Sequence, residues 1–156
     1  MDILYNPLTQ EALTALVDKQ SGDDFVRTSD EVHVRLVLAG NPHTTPAAMQ
    51  KLAEDPSEKV RSRLAANARL PEDIFKILAK DTSDEVRISV GENQNAPDDI
   101  LEMLAHDSSD DVRLSVSANS LLPFHLLKQL AEDENMFVAE SAKKTLAAID
   151  AKADAR

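Results

Sequence analysis

The chain has no cysteine and no tryptophan, one tyrosine, four phenylalanines and three glycines among 156 residues. Without cysteine there is no disulfide, no thiolate metal site and no cysteine nucleophile. Aromatic rings are too few to offer stacking platforms for bases or sugars, so the core must be mainly aliphatic. No apolar run approaches the roughly 20 residues that span a bilayer. The start, MDILYNPLTQE, has neither the basic residues nor the apolar stretch of a signal peptide. The expected location is cytoplasmic, with no membrane contact. Basic residues are also outnumbered: 17 Lys and Arg against 28 Asp and Glu give a formal charge of −11. Such a field repels nucleic acid and attracts basic protein surfaces, so no nucleic-acid partner is expected.

Reactive patterns are missing as well. No GxGxxG, Walker-type GKS/T, GxSxG or paired-carboxylate motif occurs. His33, His43, His106 and His125 sit at unrelated places without an HxxxH or HExxH partner, which makes them surface or turn residues rather than ligands. The run Asp107-Ser-Ser-Asp-Asp111 lacks the glycine and the distal glutamate of a calcium loop. The expectation is no enzyme, no catalytic residue, no metal and no cofactor.

What the chain does contain is one string, repeated. Asp81-Thr-Ser-Asp-Glu-Val-Arg-Ile-Ser-Val-Gly-Glu-Asn93 is preceded by Asp55-Pro-Ser-Glu-Lys-Val-Arg-Ser-Arg-Leu-Ala-Ala-Asn67 and followed by Asp107-Ser-Ser-Asp-Asp-Val-Arg-Leu-Ser-Val-Ser-Ala-Asn119. Asn41, Asn67, Asn93 and Asn119 step by 26 residues, as do Arg35, Arg61, Arg87 and Arg113. A fixed period of this length marks a repeat protein, whose units bury their apolar faces only against neighbours.

Each unit reads as two short helices. One starts at Pro71, Pro97 or Pro123, where a missing N–H costs nothing at the first helical position, and at Thr45-Pro46 in the first unit. It carries Ile74, Phe75 and Leu78 or their equivalents. The other begins after Ser57, Ser83 or Ser109, with acidic residues in its first turn favouring the helix dipole, and ends near the recurrent Asn. Residues 1–18 read as an N-terminal cap helix with Leu13, Leu16 and Val17 at helical spacing, and 19–29 as an irregular insertion. About four repeats fill 30–137, a C-terminal cap helix covers 138–150, and 151–156 form a frayed tail. In the last unit Ala139 stands where Arg is expected and Thr145 where Asn is.

The string DxSxxVRxxVxxN, followed by Pro and then LxxLAxD, resembles the leucine-rich repeat variant family over about residues 30–146. That family is a bacterial relative of HEAT and armadillo arrays. The resemblance, with the period, implies an all-α fold: a right-handed α-solenoid. HEAT repeats place an Asp in the turn between helices and an Arg six residues later, and Asp55/Arg61, Asp81/Arg87 and Asp107/Arg113 match. The resemblance therefore implies a structural ladder in which each Arg is held by its preceding Asp. Asn41, Asn67, Asn93 and Asn119 are expected to end helices in the left-handed conformation and to satisfy loop backbone. The family's cysteine-ligated iron–sulfur cluster cannot be carried over to a chain without cysteine.

Projecting the second helix at about 100° per residue puts Val60, Val86 and Val112 at the origin and Leu64, Val90 and Val116 about 40° away, which defines the core stripe. Leu36, Ser62, Ile88, Leu114 and Glu140 fall at about 200°, away from it. In HEAT-like arrays that side is the concave surface, beside Gly40, Arg63, Ala66, Ser89, Glu92, Ser115 and Ala118. The expected protein-binding residues are Leu36, Arg63, Ile88, Glu92, Leu114 and Glu140, gripping an amphipathic helix or extended peptide that is basic or has apolar anchors. A tightly wound array would instead bury the aliphatic ones against one another. The leading expectation is a non-enzymatic adaptor. A self-associating structural module is the alternative. A HEAT-like DNA glycosylase or bilin lyase is disfavoured by charge and by the missing Trp and Cys.

Overall fold

The structure, a computed structural model, describes residues 29–154. The expected cap helix at 1–18 and residues 19–28 of the insertion lie outside the described residues. Those that are described form helices and turns, with no strand among them. In order the helices are α1 (Ser29–Gly40), α2 (Pro46–Ala53), α3 (Glu58–Ala65), α4 (Glu72–Leu78), α5 (Asp84–Glu92), α6 (Asp98–Ala105), α7 (Asp110–Ser117), α8 (Phe124–Leu130) and α9 (Met136–Asp154).

Most of these helices have 7 to 9 residues, below the roughly 12–15 at which an isolated helix begins to form in water. They are held by packing in two rows. The first row is α1, α3, α5, α7 and α9, each in contact with the next. The second is α2, α4, α6 and α8, each in contact with the first-row helix that follows it. The stripe that the projection defines is the shared core: Val60, Leu64, Val86, Val90, Val112 and Val116 are all fully buried. Second-row Ile74, Phe75, Leu78, Leu101, Leu104 and Leu127 close over them.

Helix starts differ in detail from the sequence pattern. Thr45 caps α2 by accepting the Ala48 N–H at 3.3 Å, with Pro46 at the first helical position. Pro71, Pro97 and Pro123 take the cap position itself, one residue earlier than expected, a shift within the ambiguity of a first turn. Ser57, Ser83 and Ser109 stand at their caps in extended conformation, yet their hydroxyls make no cap bond. The turn is fixed by the preceding Asp instead: Oδ1 of Asp55, Asp81 and Asp107 accepts the N–H of Ser57, Ser83 and Ser109 at 2.9 Å each.

The last helix also differs. It starts at Met136 and runs to Asp154, so residues 151–154 of the expected tail are helical. The sequence there, Ala-Lys-Ala-Asp, has high helix propensity and no Gly or Pro to stop it. This helix of 19 residues lies against both α7 and α8.

Successive first-row helices approach closely along one line of small residues. Ala39, Ala65, Gly91 and Ser117, at the 26-residue spacing, are all buried. A Cβ placed on Gly91 would collide with Ser115 Oγ and lie 2.9 Å from Val116 Cγ2 of α7. This line matters because the next unit's Asn reaches across it.

Candidate functional site

Two polar ladders run along the first row. In the first, Arg35, Arg61, Arg87 and Arg113 donate through Nε to Asp55, Asp81, Asp107 and Asp133 at 2.6–2.8 Å. Each partner is the Asp 20 residues ahead, in the following unit. The expected carboxylate partner, six residues behind, is a correction. That residue gives its backbone carbonyl: Nη1 of Arg61, Arg87 and Arg113 donates to the O of Asp55, Asp81 and Asp107 at 2.6–2.8 Å. Its carboxylate is already occupied by the turn N–H and by the previous unit's Arg. Each guanidinium thus ties a turn of its own unit to a turn of the next with planar, charge-assisted bonds. The ladder stops where Ala139 replaces Arg.

The second ladder belongs to the Asn series. Asn67, Asn93 and Asn119 donate through Nδ2 to the carbonyls of Ala39, Ala65 and Gly91 in the preceding unit at 2.7–3.0 Å. The same Nδ2 groups reach the carbonyls of Asn41, Asn67 and Asn93 at 3.0–3.4 Å. Oδ1 of Asn41, Asn67, Asn93 and Asn119 accepts the N–H two residues on, at 2.9–3.0 Å. Asn93 is not left-handed: its φ of −71° and ψ of 119° are extended. The residue is chosen for a side chain that donates and accepts at once, not for an unusual backbone. Thr145 keeps one rung, Oγ1 donating to Ser117 O at 2.8 Å. The small residues at 39, 65, 91 and 117 escaped the sequence reading. Their signal was present, two positions before each Asn.

Both ladders are consumed in holding units together. The carboxyls of Asp81 and Asp107 lie below their ordinary value: burial pushes them up, but Arg61 and Arg87, the Ser83 and Ser109 N–H groups and the next Arg pull them further down. Asp133 is lowered chiefly by Arg113. A depressed folded pKa contributes stability that is present above the unfolded value of about 3.9 and lost as pH falls through the folded one. Urea midpoints are therefore expected to decline below about pH 4 through these pairs, and Asp107→Asn should make that decline shallower. An identical acid limb in the variant would show that the pair carries no linkage.

The opposite face of the first row carries the expected binding residues. Leu36, Ile88 and Leu114 are half-buried and pack against the core, so they form a floor rather than projecting anchors. Replacing them with Asp would report on folding as much as on binding. Arg63 is exposed, and its guanidinium lies directly over Gly40, where any Cβ would collide with it. Glu92 is exposed, and Glu140 is exposed and paired with Lys144 at 2.8 Å. Leu36 and Arg63 are brought together, with Glu58, Lys59, Ser62, Ala66, Glu85 and Ser89, around one open groove of about 500 Å³. Ile88, Glu92, Leu114 and Glu140 do not line it. Val37, the counterpart of Arg63, Ser89 and Ser115 one unit earlier, is exposed as well and is not among the expected residues.

Among the described residues no cluster of His, Asp or Glu is arranged to hold a metal ion, and no helix is long and apolar enough to cross a membrane. His106 instead spans from the Glu102 carbonyl to Gln129 on α8, each at 2.9 Å. No protein-family model, curated protein or solved structure matches this chain.

Proposed function

We propose that the chain is a right-handed α-solenoid of the leucine-rich repeat variant kind, acting in the bacterial cytoplasm as a non-enzymatic adaptor. It holds an extended protein segment along the face of α1, α3, α5 and α7. The observation that carries this reading is the division of labour between the two sides of the row. On the ladder side the guanidinium groups are tied into the joints between units. On the other side an open groove presents the half-buried Leu36, the Ser62 and Ser89 hydroxyls and the charges of Lys59, Arg63, Glu58 and Glu85. An apolar floor with polar flanks is the usual form of a peptide-binding surface. The acidic side chains Glu85, Glu92 and Asp111 farther along suit a segment with one apolar anchor over Leu36 and basic residues beyond it.

The test fills the groove without touching the core. Ala66 is exposed at its edge, so Ala66→Trp should leave the helical spectrum and thermal midpoint unchanged. Peptides selected from a random display library on the wild-type chain are expected to carry an apolar residue followed by basic ones, and to bind Ala66→Trp at least about tenfold more weakly, a loss of about 1.4 kcal/mol. A library that yields no such peptides, or peptides that bind both proteins equally, would sink the reading.

A further inference from the structure

The last first-row helix departs from the others at its first two residues. α3, α5 and α7 open on Glu58-Lys59, Asp84-Glu85 and Asp110-Asp111, all exposed and all but Lys59 of the sign that the helix dipole favours. α9, in the same register, opens on Met136-Phe137. Their exposures of 69% and 64% are the highest of the large apolar residues described. In α1 the same places hold Val32, which packs on the core, and the polar His33. Single exposed apolar residues such as Ile77 are ordinary on a protein surface; two adjacent ones, where the repeat otherwise sets charge, are not.

The start of α9 is held in place without the acidic pair. Oδ1 of Asn135 accepts the N–H of Phe137 at 2.9 Å and of Val138 at 3.4 Å, a side-chain cap that Ser57, Ser83 and Ser109 do not provide. Its Nδ2 donates to Oδ2 of Asp110 on α7 at 2.6 Å. Around this turn the exposed charge is of one sign. Asp111, Glu132 and Glu134 are exposed and in no ion pair among the described residues. Between residues 107 and 140 the only Lys and Arg are Arg113, tied to Asp133 and Asp110, and Lys128, whose ammonium lies 4.6 Å over the Phe124 ring at the far end of α8. Lys143, the next cation along α9, stands about 10 Å beyond Met136.

We propose that Met136 and Phe137 form the anchor of a second docking point, which takes a short protein segment carrying an apolar residue between lysines or arginines. Phe and Met are enriched at the centres of protein interfaces, and unpaired carboxylates around such a centre select a basic partner. A second copy of the chain is a poor occupant, because it brings the same carboxylates against these, and an anionic bilayer is repelled in the same way. The groove described above is lined from α1, α3, α5 and the residue after α3. The α9 point lies outside it and does not depend on what the groove holds.

A variant that restores the repeat tests it. Met136→Glu/Phe137→Lys gives α9 the opening of α3 and leaves the net charge unaltered, so its helical spectrum and thermal midpoint should match the wild type. A random heptapeptide display library is depleted on this variant and then selected on the wild-type chain at low salt. The surviving peptides are expected to carry an apolar residue flanked by Lys or Arg, and to bind the wild type at least about tenfold more tightly than the variant. They should bind Ala66→Trp as well as they bind the wild type, which separates this result from that of the groove. Raising salt to about 0.3 M should weaken them severalfold. No surviving peptides, survivors without basic residues, survivors that Ala66→Trp rejects, or a variant that melts several degrees lower would overturn the proposal. So would a wild-type dimer in sedimentation, or wild-type binding to phosphatidylcholine vesicles, that the variant lacks, since either would give the anchor to a second copy or to a membrane.

Discussion

Arg87→Ala should lower stability by about 3–5 kcal/mol, the range for removing one partner of a buried ion pair. Arg87 donates to both oxygens of Asp107 at 2.8 and 3.1 Å, to Asp84 Oδ1 at 2.6 Å and to the Asp81 carbonyl at 2.7 Å. Its side chain is only 13% exposed and that of Asp107 only 11%, so water cannot readily replace it. The thermal midpoint is expected to fall by roughly 10 °C or more for a chain of this length. Arg63→Ala, at an exposed guanidinium without an ion partner, should change stability by no more than about 0.5 kcal/mol. Arg87→Lys should recover little, because one ammonium cannot span three acceptors in a plane. Removing both partners in Arg87→Ala/Asp107→Ala should cost less than the two single changes added together. A loss below about 1 kcal/mol for Arg87→Ala would class the ladder with ordinary surface pairs.

Asn93→Ala should cost about 2–4 kcal/mol, since it strands several buried groups at once. The side chain holds the Ala65 and Asn67 carbonyls at 2.7 and 3.1 Å and the Asn95 N–H at 2.9 Å, and the residue is 7% exposed. Asn93→Asp separates its two functions. The carboxylate can still accept the Asn95 N–H but has no donor for the carbonyls, so at neutral pH it should be at least as damaging as Ala. Acidifying to protonate it should restore part of the loss, read as a smaller gap from wild type in urea unfolding. Exposed Asn95→Ala is the control, with little expected change. Equal stability of Asn93→Asp and wild type at neutral pH would refute the donor role.

Both experiments bear on residues whose importance the sequence displayed and whose partners it did not. The helix pair is legible because its signals are local: Val60 and Leu64 four apart, Pro71 before Glu72-Asp73, a turn Asp ahead of α3, α5, α7 and α9. Repetition removes the ambiguity that a single apolar run would carry. Leu36, Ile88 and Leu114 were legible as a position off the main stripe, but their half-burial depends on how closely the next helix lies. That spacing is set by Ala39, Ala65, Gly91 and Ser117, residues with too little side chain to attract notice.

By itself, then, the sequence determined that the chain repeats every 26 residues, because one string recurs at that step, and that its units are helical with an aliphatic core stripe, because both follow from spacing within one unit. Only the tertiary structure decided that Arg87 reaches forward 20 residues to Asp107, and that Asn93 reaches back 28 to the Ala65 carbonyl. Those choices depend on the distance and rotation between neighbouring units, which no pattern inside a unit encodes. The same holds for the groove face of the row, where packing made a floor of Leu36, Ile88 and Leu114.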